Sequence, residues 1–342
     1  MQLQPPVPAQ PPVPALEWCD DHLRILDQRS LPGALVWVEC HDADDAAAAI
    51  ADGVVQGAVS AGLVAAYGIA LAARRIGRSA DWAVDLQTDF ERLAQACPAS
   101  SHLLWVLGVL DDRLQRLRYQ GQGVPDQLAQ VAVNLHASDE ESRRALGRLG
   151  VQVIRRHDRQ PQKFLTLVSP HSDSHAGALD LVRAAQGAGL VEQLYLCADE
   201  ASDACRLALW ELDRDEVATA LRGAAAAGQL MRSDNISWVV AGAHRIAANG
   251  DLISDIGTYS LAILAMHHGL RFMVVAPSAA FDLALESADE LDPADGLLSP
   301  EGRLVMDVTP ADLIDVIVTE RGVVERPDES RIAELLSPRH LH

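Results

Sequence analysis

Residues 169–177 read SPHSDSHAG, which sets His171, Asp173 and His175 at alternating positions between an apolar run and a helix-like run. Imidazoles and a carboxylate converging in this way could hold a divalent metal or serve as an acid/base set near neutral pH. A loop also sends alternate side chains to opposite sides, and Ser174 or Asp173 would equally cap the helix that follows. A second polar segment, GAHRIAANGD, carries His244, Arg245, Asn249 and Asp251 behind the apolar run ISWVV. Whether the two segments meet depends on the elements that carry them.

Those elements fall into two textures. Residues 1–15 form a proline-rich arm, expected to be extended. Residues 23–26 and 34–40 read as short strands joined through the turn signal Leu31-Pro32-Gly33. Helical periodicity then covers 42–52, 58–75, 80–96, 101–117 and 125–149, so residues 16–150 form a mostly helical N-terminal domain. From Gln162 onward, β-branched runs such as FLTLV, QLYLC, ISWVVAG and RFMVVAP alternate with helical ones. That alternation requires a parallel sheet with helices on both faces, so the fold class is α/β, with a Rossmann-like domain over 151–335 and a tail over 336–342. Ligands in such sheets bind at the carboxyl ends of the strands, which puts SPHSDSHAG and GAHRIAANGD in one crevice.

Composition excludes several functions. Forty-eight acidic residues against 28 basic ones give a net charge of -20, with no basic block, so a nucleic acid backbone would be repelled. Cys19, Cys40, Cys97, Cys197 and Cys205 lack CxxC spacing, and their odd number fits a reducing compartment, so the cytoplasm is expected. Nothing at the start has the pattern of a secretory leader. The apolar segment 57–73 is alanine- and glycine-rich and reads as a buried helix, not a membrane span.

Several segments carry a family resemblance. GAHRIAANGDLISDIGTYSLAILAMHHG, followed by RFMVVAPSAAFD, resembles the corresponding stretch of the 5-methylthioribose-1-phosphate isomerases. These are grouped with the regulatory subunits of translation initiation factor eIF2B and with ribose-1,5-bisphosphate isomerases. LRILDQRSLPG, GAVSAGLVAAYGIALAAR and DVTPADLIDVIVTERGVV extend the resemblance along almost the whole chain. It implies conversion of an aldose 1-phosphate to a ketose 1-phosphate by a cysteine in a THCNAG loop and the aspartate of GADRI. Neither is present: the cysteine position falls at Val168 or Ser174, depending on register, and the aspartate is His244. The arginine of RGAPAIG is Gln56, before the retained Gly57, and a second arginine is Cys97, with His102 where the family has asparagine. An Asn-Lys pair has become Ser254-Asp255.

Phosphate dianions need charge-assisted donors, and several are lost together. The expectation is therefore a diverged protein without the isomerase activity that binds a small ligand or a protein partner. One alternative is altered chemistry on a related sugar or nucleoside-derived substrate through His244 with His171, Asp173 or His175. Another is methylthioribose-1-phosphate isomerisation by a rearranged site. Gln56, Gly57, Cys97, Val168, Ser174, Arg245, Asn249, Asp251, Ser254 and Asp255 are expected to line the pocket. No cofactor is expected; His171, Asp173, His175 and His244 are the candidate ligands if a divalent metal binds. The resemblance implies a homodimer, or a heteromeric partner, with neither nucleic acid nor membrane involved.

Overall fold

The computed structural model describes residues 13–19, 21–76, 82–97, 100–117, 124–169, 175–291, 297–299 and 302–337. The chain divides into two compact units at 140/141, inside a helix, where the sequence points to 150/151.

In the first unit, β1 (Leu16–Trp18), β2 (Leu23–Leu26) and β3 (Trp37–Cys40) form an antiparallel sheet with β2 in the centre. Four helices follow: α1 (Ala43–Ala51), α2 (Ala58–Ile76), α3 (Trp82–Ala96) and α4 (Ser101–Leu117). The start of α5 (Val124–His157) completes the unit. Asp42 caps α1 by accepting the Asp45 N–H, while Asp44 and Asp45 complement the positive end of the helix dipole. By length and composition alone α2 could cross a membrane. Instead it is the core of this unit, packed by α1, α3 and α4, with every residue from Ala61 to Ala73 buried. Small residues make that packing close: a Cβ on Gly68 would sit 2.9 Å from the Ala46 Cβ of α1. Tyr67 of α2 stacks on Trp18 at 4.9 Å, and its hydroxyl lies 3.1 Å from His136 Nδ1.

In chain order the second unit contains the remainder of α5, then β4 (Gln162–Val168), α6 (Ala176–Gly187), β5 (Val191–Ala198), α7 (Asp203–Arg214), β6 (Thr219–Arg222), α8 (Ala227–Ser233) and β7 (Trp238–Ala241). It continues through β8 (Arg245–Ala247), β9 (Leu252–Asp255), α9 (Thr258–His268), β10 (Arg271–Val275), β11 (Phe281–Asp282), β12 (Met306–Thr309), β13 (Val316–Thr319), β14 (Gly322–Glu325) and α10 (Glu329–Leu336). Seven strands form one sheet in the order β14-β13-β10-β7-β4-β5-β6, parallel throughout except for β14 at the edge. This is the expected doubly wound architecture. Its central strands are buried on both faces, which explains their continuous apolar runs.

The chain runs outward from β4 through β5 to β6, then returns to β7 and runs the other way through β10 to β13. The order therefore reverses between β4 and β7, which pair directly from Phe164↔Trp238 to Thr166↔Val240. A crevice opens at such a reversal, outside the carboxyl ends of the two strands.

The sequence did not disclose a second, four-stranded sheet, β11-β8-β9-β12. It grows from the segment after β7 and has a turn at Asn249-Gly250, where Gly250 takes a φ of +96°.

The start of α6 lies against the end of β10. A Cβ on Gly177 would come within 2.3 Å of the Val275 carbonyl oxygen, a backbone atom that cannot swing away. Gly177→Ala should therefore destabilise the protein by about 2 kcal/mol, through a forced shift of α6. Urea unfolding would measure this, with Gly187→Ala as the control, because nothing lies within 4 Å of a Cβ there. Equal midpoints for the two variants would refute the close approach.

Candidate functional site

The loops after β4 and β7 leave adjacent strands at the reversal point, so Ser169 and Gly242, where the described parts of the two polar segments begin, leave the sheet side by side. β4 ends at buried Val168, followed by buried Ser169. His171, Asp173 and Ser174 lie outside the described residues. His175 sits at the N-cap position of α6, half-buried, and its side chain makes no capping hydrogen bond.

On the β7 side, His244 is exposed, and its backbone N–H donates to the Ile253 carbonyl at 3.0 Å. Ser254 Oγ donates to the Gly242 carbonyl at 3.0 Å, which fixes the path of the chain just before His244. Asp255 follows at the end of β9, 2% exposed. Arg245 pairs with Asp282 of β11 at 3.3 Å.

Asn249 and Asp251 are committed to each other and to the surrounding loops. The Asp251 carboxylate accepts from Asn249 Nδ2 at 2.7 Å, Ser287 Oγ at 3.0 Å, the Ala288 N–H at 3.2 Å and the Ala311 N–H at 3.0 Å. Burial pushes its pKa up, but the four hydrogen bonds together outweigh that and hold the carboxyl below its ordinary value. Its visible work is to knot three loops.

Gln56, Gly57 and Cys97 belong to the first unit. The Gln56 N–H donates to the side-chain oxygen of buried Gln28. Gly57, at a φ of +95°, turns the chain into α2, and its carbonyl accepts the Ala61 N–H at 3.0 Å. Cys97 is half-buried just beyond α3.

The sequence reading passed over Asp307 of β12, although it stands inside the quoted DVTP segment. Paired opposite Ser254, it accepts the Gly257 N–H at 2.7 Å and the Tyr259 N–H at 3.2 Å, and so holds the amino end of α9. Burial, aided by the nearby Asp255 charge, pushes its pKa up to about 6 against the lowering effect of those two hydrogen bonds.

For a carboxyl raised on folding, stability falls as pH rises from the unfolded value near 4 towards about 6, and the loss is complete above that. Asp307→Asn keeps an acceptor oxygen and removes the charge. It should flatten the pH 4–6 dependence of the unfolding free energy and stabilise the protein at pH 7 by about 2 kcal/mol. An unchanged slope would show that the carboxyl titrates normally.

Among the described residues, no three His, Cys, Asp or Glu side chains are grouped so as to hold a metal ion. His175 and His244, the two described members of the candidate metal set, therefore form no such group.

Residues 54–326 match the initiation factor 2 subunit family. The methylthioribose-1-phosphate isomerase of Pseudomonas aeruginosa (strain UCBPP-PA14) is 45% identical over 351 residues, covering 96% of this chain and 97% of that protein. The crystal structure of 5-methylthioribose 1-phosphate isomerase from Pyrococcus horikoshii OT3 superposes with a TM-score of 0.80 at 25% identity, over 94% of this chain and 95% of the other. The δ subunit of translation initiation factor eIF-2B from A. fulgidus gives a TM-score of 0.78 at 26% identity, over 95% and 99%.

These relatives overturn the expectation that the chain has left isomerase chemistry. That expectation weighed the missing thiol and aspartate together with the lost basic contacts to phosphate. The likeness to proteins named as isomerases covers 96% of the chain.

Proposed function

The chain belongs to the initiation factor 2 subunit family, and from that footing we propose that it is a methylthioribose-1-phosphate isomerase working through a rearranged set of acid/base groups. The observation that carries this reading is the 45% identity across 96% of the chain to a protein of that name.

The substrate is an aldose whose anomeric oxygen carries phosphate, so its ring does not open by itself. A proton must reach the ring oxygen as its bond to C1 breaks. One way to complete the reaction removes a proton from C2, returns one to C1 and takes the 2-hydroxyl proton away, leaving a ketone at C2 and the phosphate on C1. Two protons are delivered and two removed, so the site needs groups that change protonation near neutral pH.

We assign that work to His244, exposed in the crevice on the β7 side, with His175 at the start of α6 as the second imidazole. Asp255, buried at the end of β9, supplies a carboxylate on the strand that pairs with β8. Val168, Arg245 and Ser254 shape the crevice wall in this reading. Asn249 and Asp251 support the turn behind it.

The assembly assigned here is a homodimer in the cytoplasm. Exposed Ile256, Tyr259 and Met266, at 39%, 42% and 60%, offer the second unit an apolar contact surface at α9. Sedimentation velocity at micromolar concentration should give the mass of two chains.

The activity is tested by following methylthioribose 1-phosphate by phosphorus NMR with near-stoichiometric protein. Growth of the ketose 1-phosphate resonance is expected. An unchanged substrate signal after prolonged incubation would sink the assignment.

A further inference from the structure

We propose that a groove at the opposite edge of the seven-stranded sheet binds a compact polyphosphate. It lies at the amino-terminal ends of β10 and β13, encloses about 1310 Å³, and is lined by Arg156 of α5, Arg271 of β10, Arg326 after β14 and Arg331 of α10. A smaller hollow of about 450 Å³, formed by Arg155, Arg156 and Arg159, shares Arg156 with it.

Arginines elsewhere in this acidic chain are commonly paired: Arg24, Arg29, Arg92, Arg143, Arg183 and Arg206 all reach carboxylates. Arg155, Arg156, Arg159, Arg271 and Arg326 form no ion pair among the described residues, although acids outnumber bases 48 to 28 in the chain. The dipole at the carboxyl end of α5 accounts for about half a charge, which is less than Arg155 and Arg156 of its last turn carry.

The surroundings fix Arg271 and the backbone of Arg326 without neutralising either. Arg271 lies over the Trp238 ring at 5.7 Å, and His157 meets the same ring edge-on at 5.4 Å. Arg326 is held in the left-handed region at a φ of +50°, its N–H donating to the Asp315 carbonyl at 2.8 Å. Such a conformation is unfavourable for a residue with a side chain and persists only where the surroundings fix it.

Carboxylates also line the groove. Asp315 is engaged by the Phe272 N–H at 2.8 Å, and Arg331 by Asp328 at 3.3 Å. That leaves Asp312, Glu325 and Glu334 against Arg156, Arg271 and Arg326 in the groove itself, and the excess of positive charge comes from Arg155 and Arg159 of the adjoining hollow. Guanidinium forks bind phosphate oxygens in pairs, and five of them from three segments suit several linked phosphates better than one. An extended nucleic acid would overrun the patch onto a surface of strongly negative net charge, so a small ligand is favoured.

The test is isothermal titration of the full-length protein with tripolyphosphate and with ATP at low ionic strength, using sulfate as a single-anion control. Both polyphosphates should bind, and more tightly than sulfate. The triple variant Arg155→Ala/Arg156→Ala/Arg159→Ala should bind tripolyphosphate roughly tenfold or more weakly, as loss of charge-assisted contacts requires. Arg326→Asn, a residue type that tolerates the left-handed region, should weaken binding independently. Isomerisation by both variants should be unchanged, so this proposal and the assigned activity can fail separately. Four results would overturn it: no tripolyphosphate binding by the wild type, equal affinity for sulfate, wild-type affinity in both variants, or tighter binding of a single-stranded oligonucleotide than of tripolyphosphate.

Discussion

Replacing His244 by alanine should lower kcat for methylthioribose 1-phosphate by about 10²- to 10⁴-fold, the range expected when a general acid/base is removed. The fold should tolerate the change. His244 is exposed, and its hydrogen bond to the Ile253 carbonyl uses the backbone N–H, which alanine retains. KM should change little if the imidazole carries protons rather than binding phosphate. His244→Asp is a sharper probe, because it restores the carboxyl found in the GADRI motif. Wild-type kcat in His244→Ala, with the far-UV spectrum intact, would move the proton transfers to another group, and His175→Ala would be the next variant to measure.

The second large effect concerns stability. Asp251→Ala should cost about 4 kcal/mol, measured by chemical denaturation. It strands two backbone N–H groups, Ala288 and Ala311, together with the Ser287 hydroxyl and the Asn249 amide. Each buried donor left without a partner costs roughly 1–3 kcal/mol, and partial access of water reduces the total. Because the folded pKa is lowered, this stabilisation is present above the ordinary carboxylate range and is lost as pH falls through the folded value. Asp251→Asn should lie between alanine and wild type, since it keeps an acceptor but loses the charge. A loss below about 1 kcal/mol for alanine would show that the loops hold together without the knot.

Much of the scaffold was legible because its signals are local. LRIL at β2 and SHLLWVLGVLDDRLQRL at α4 have the expected limits, and the strand-helix alternation from β4 onward gave the parallel sheet. α5 runs to His157 instead of stopping at 149 for a physical reason. Gly147 and Gly150 are sites of close approach by α6: added Cβ atoms would meet Ala184 at 2.7 Å and Leu181 at 2.2 Å. The small sheet escaped notice because its strands are only two to four residues long, too short for alternation to register. Asp307 escaped with it, since its environment is created by the pairing of β12 with β9. The functional expectation failed differently. Counting lost catalytic and phosphate-binding residues weighed a handful of positions against a likeness spread along the whole chain.

The pairing of β4 has a consequence for how the chain is made. One neighbour, β5, follows after a single helix, but the other, β7, begins at Trp238, more than seventy residues later. A chain still on the ribosome with β4 and β5 released, but β7 not yet synthesised, presents an unpaired edge bearing Phe164 and Leu165, both fully buried in the finished protein. At ordinary elongation rates of about 5–20 residues per second, that edge stays open for several seconds. Synthesis of this half is therefore the period when the protein is most exposed to aggregation, and slow codons before Trp238 should lower the soluble yield more than slow codons after it.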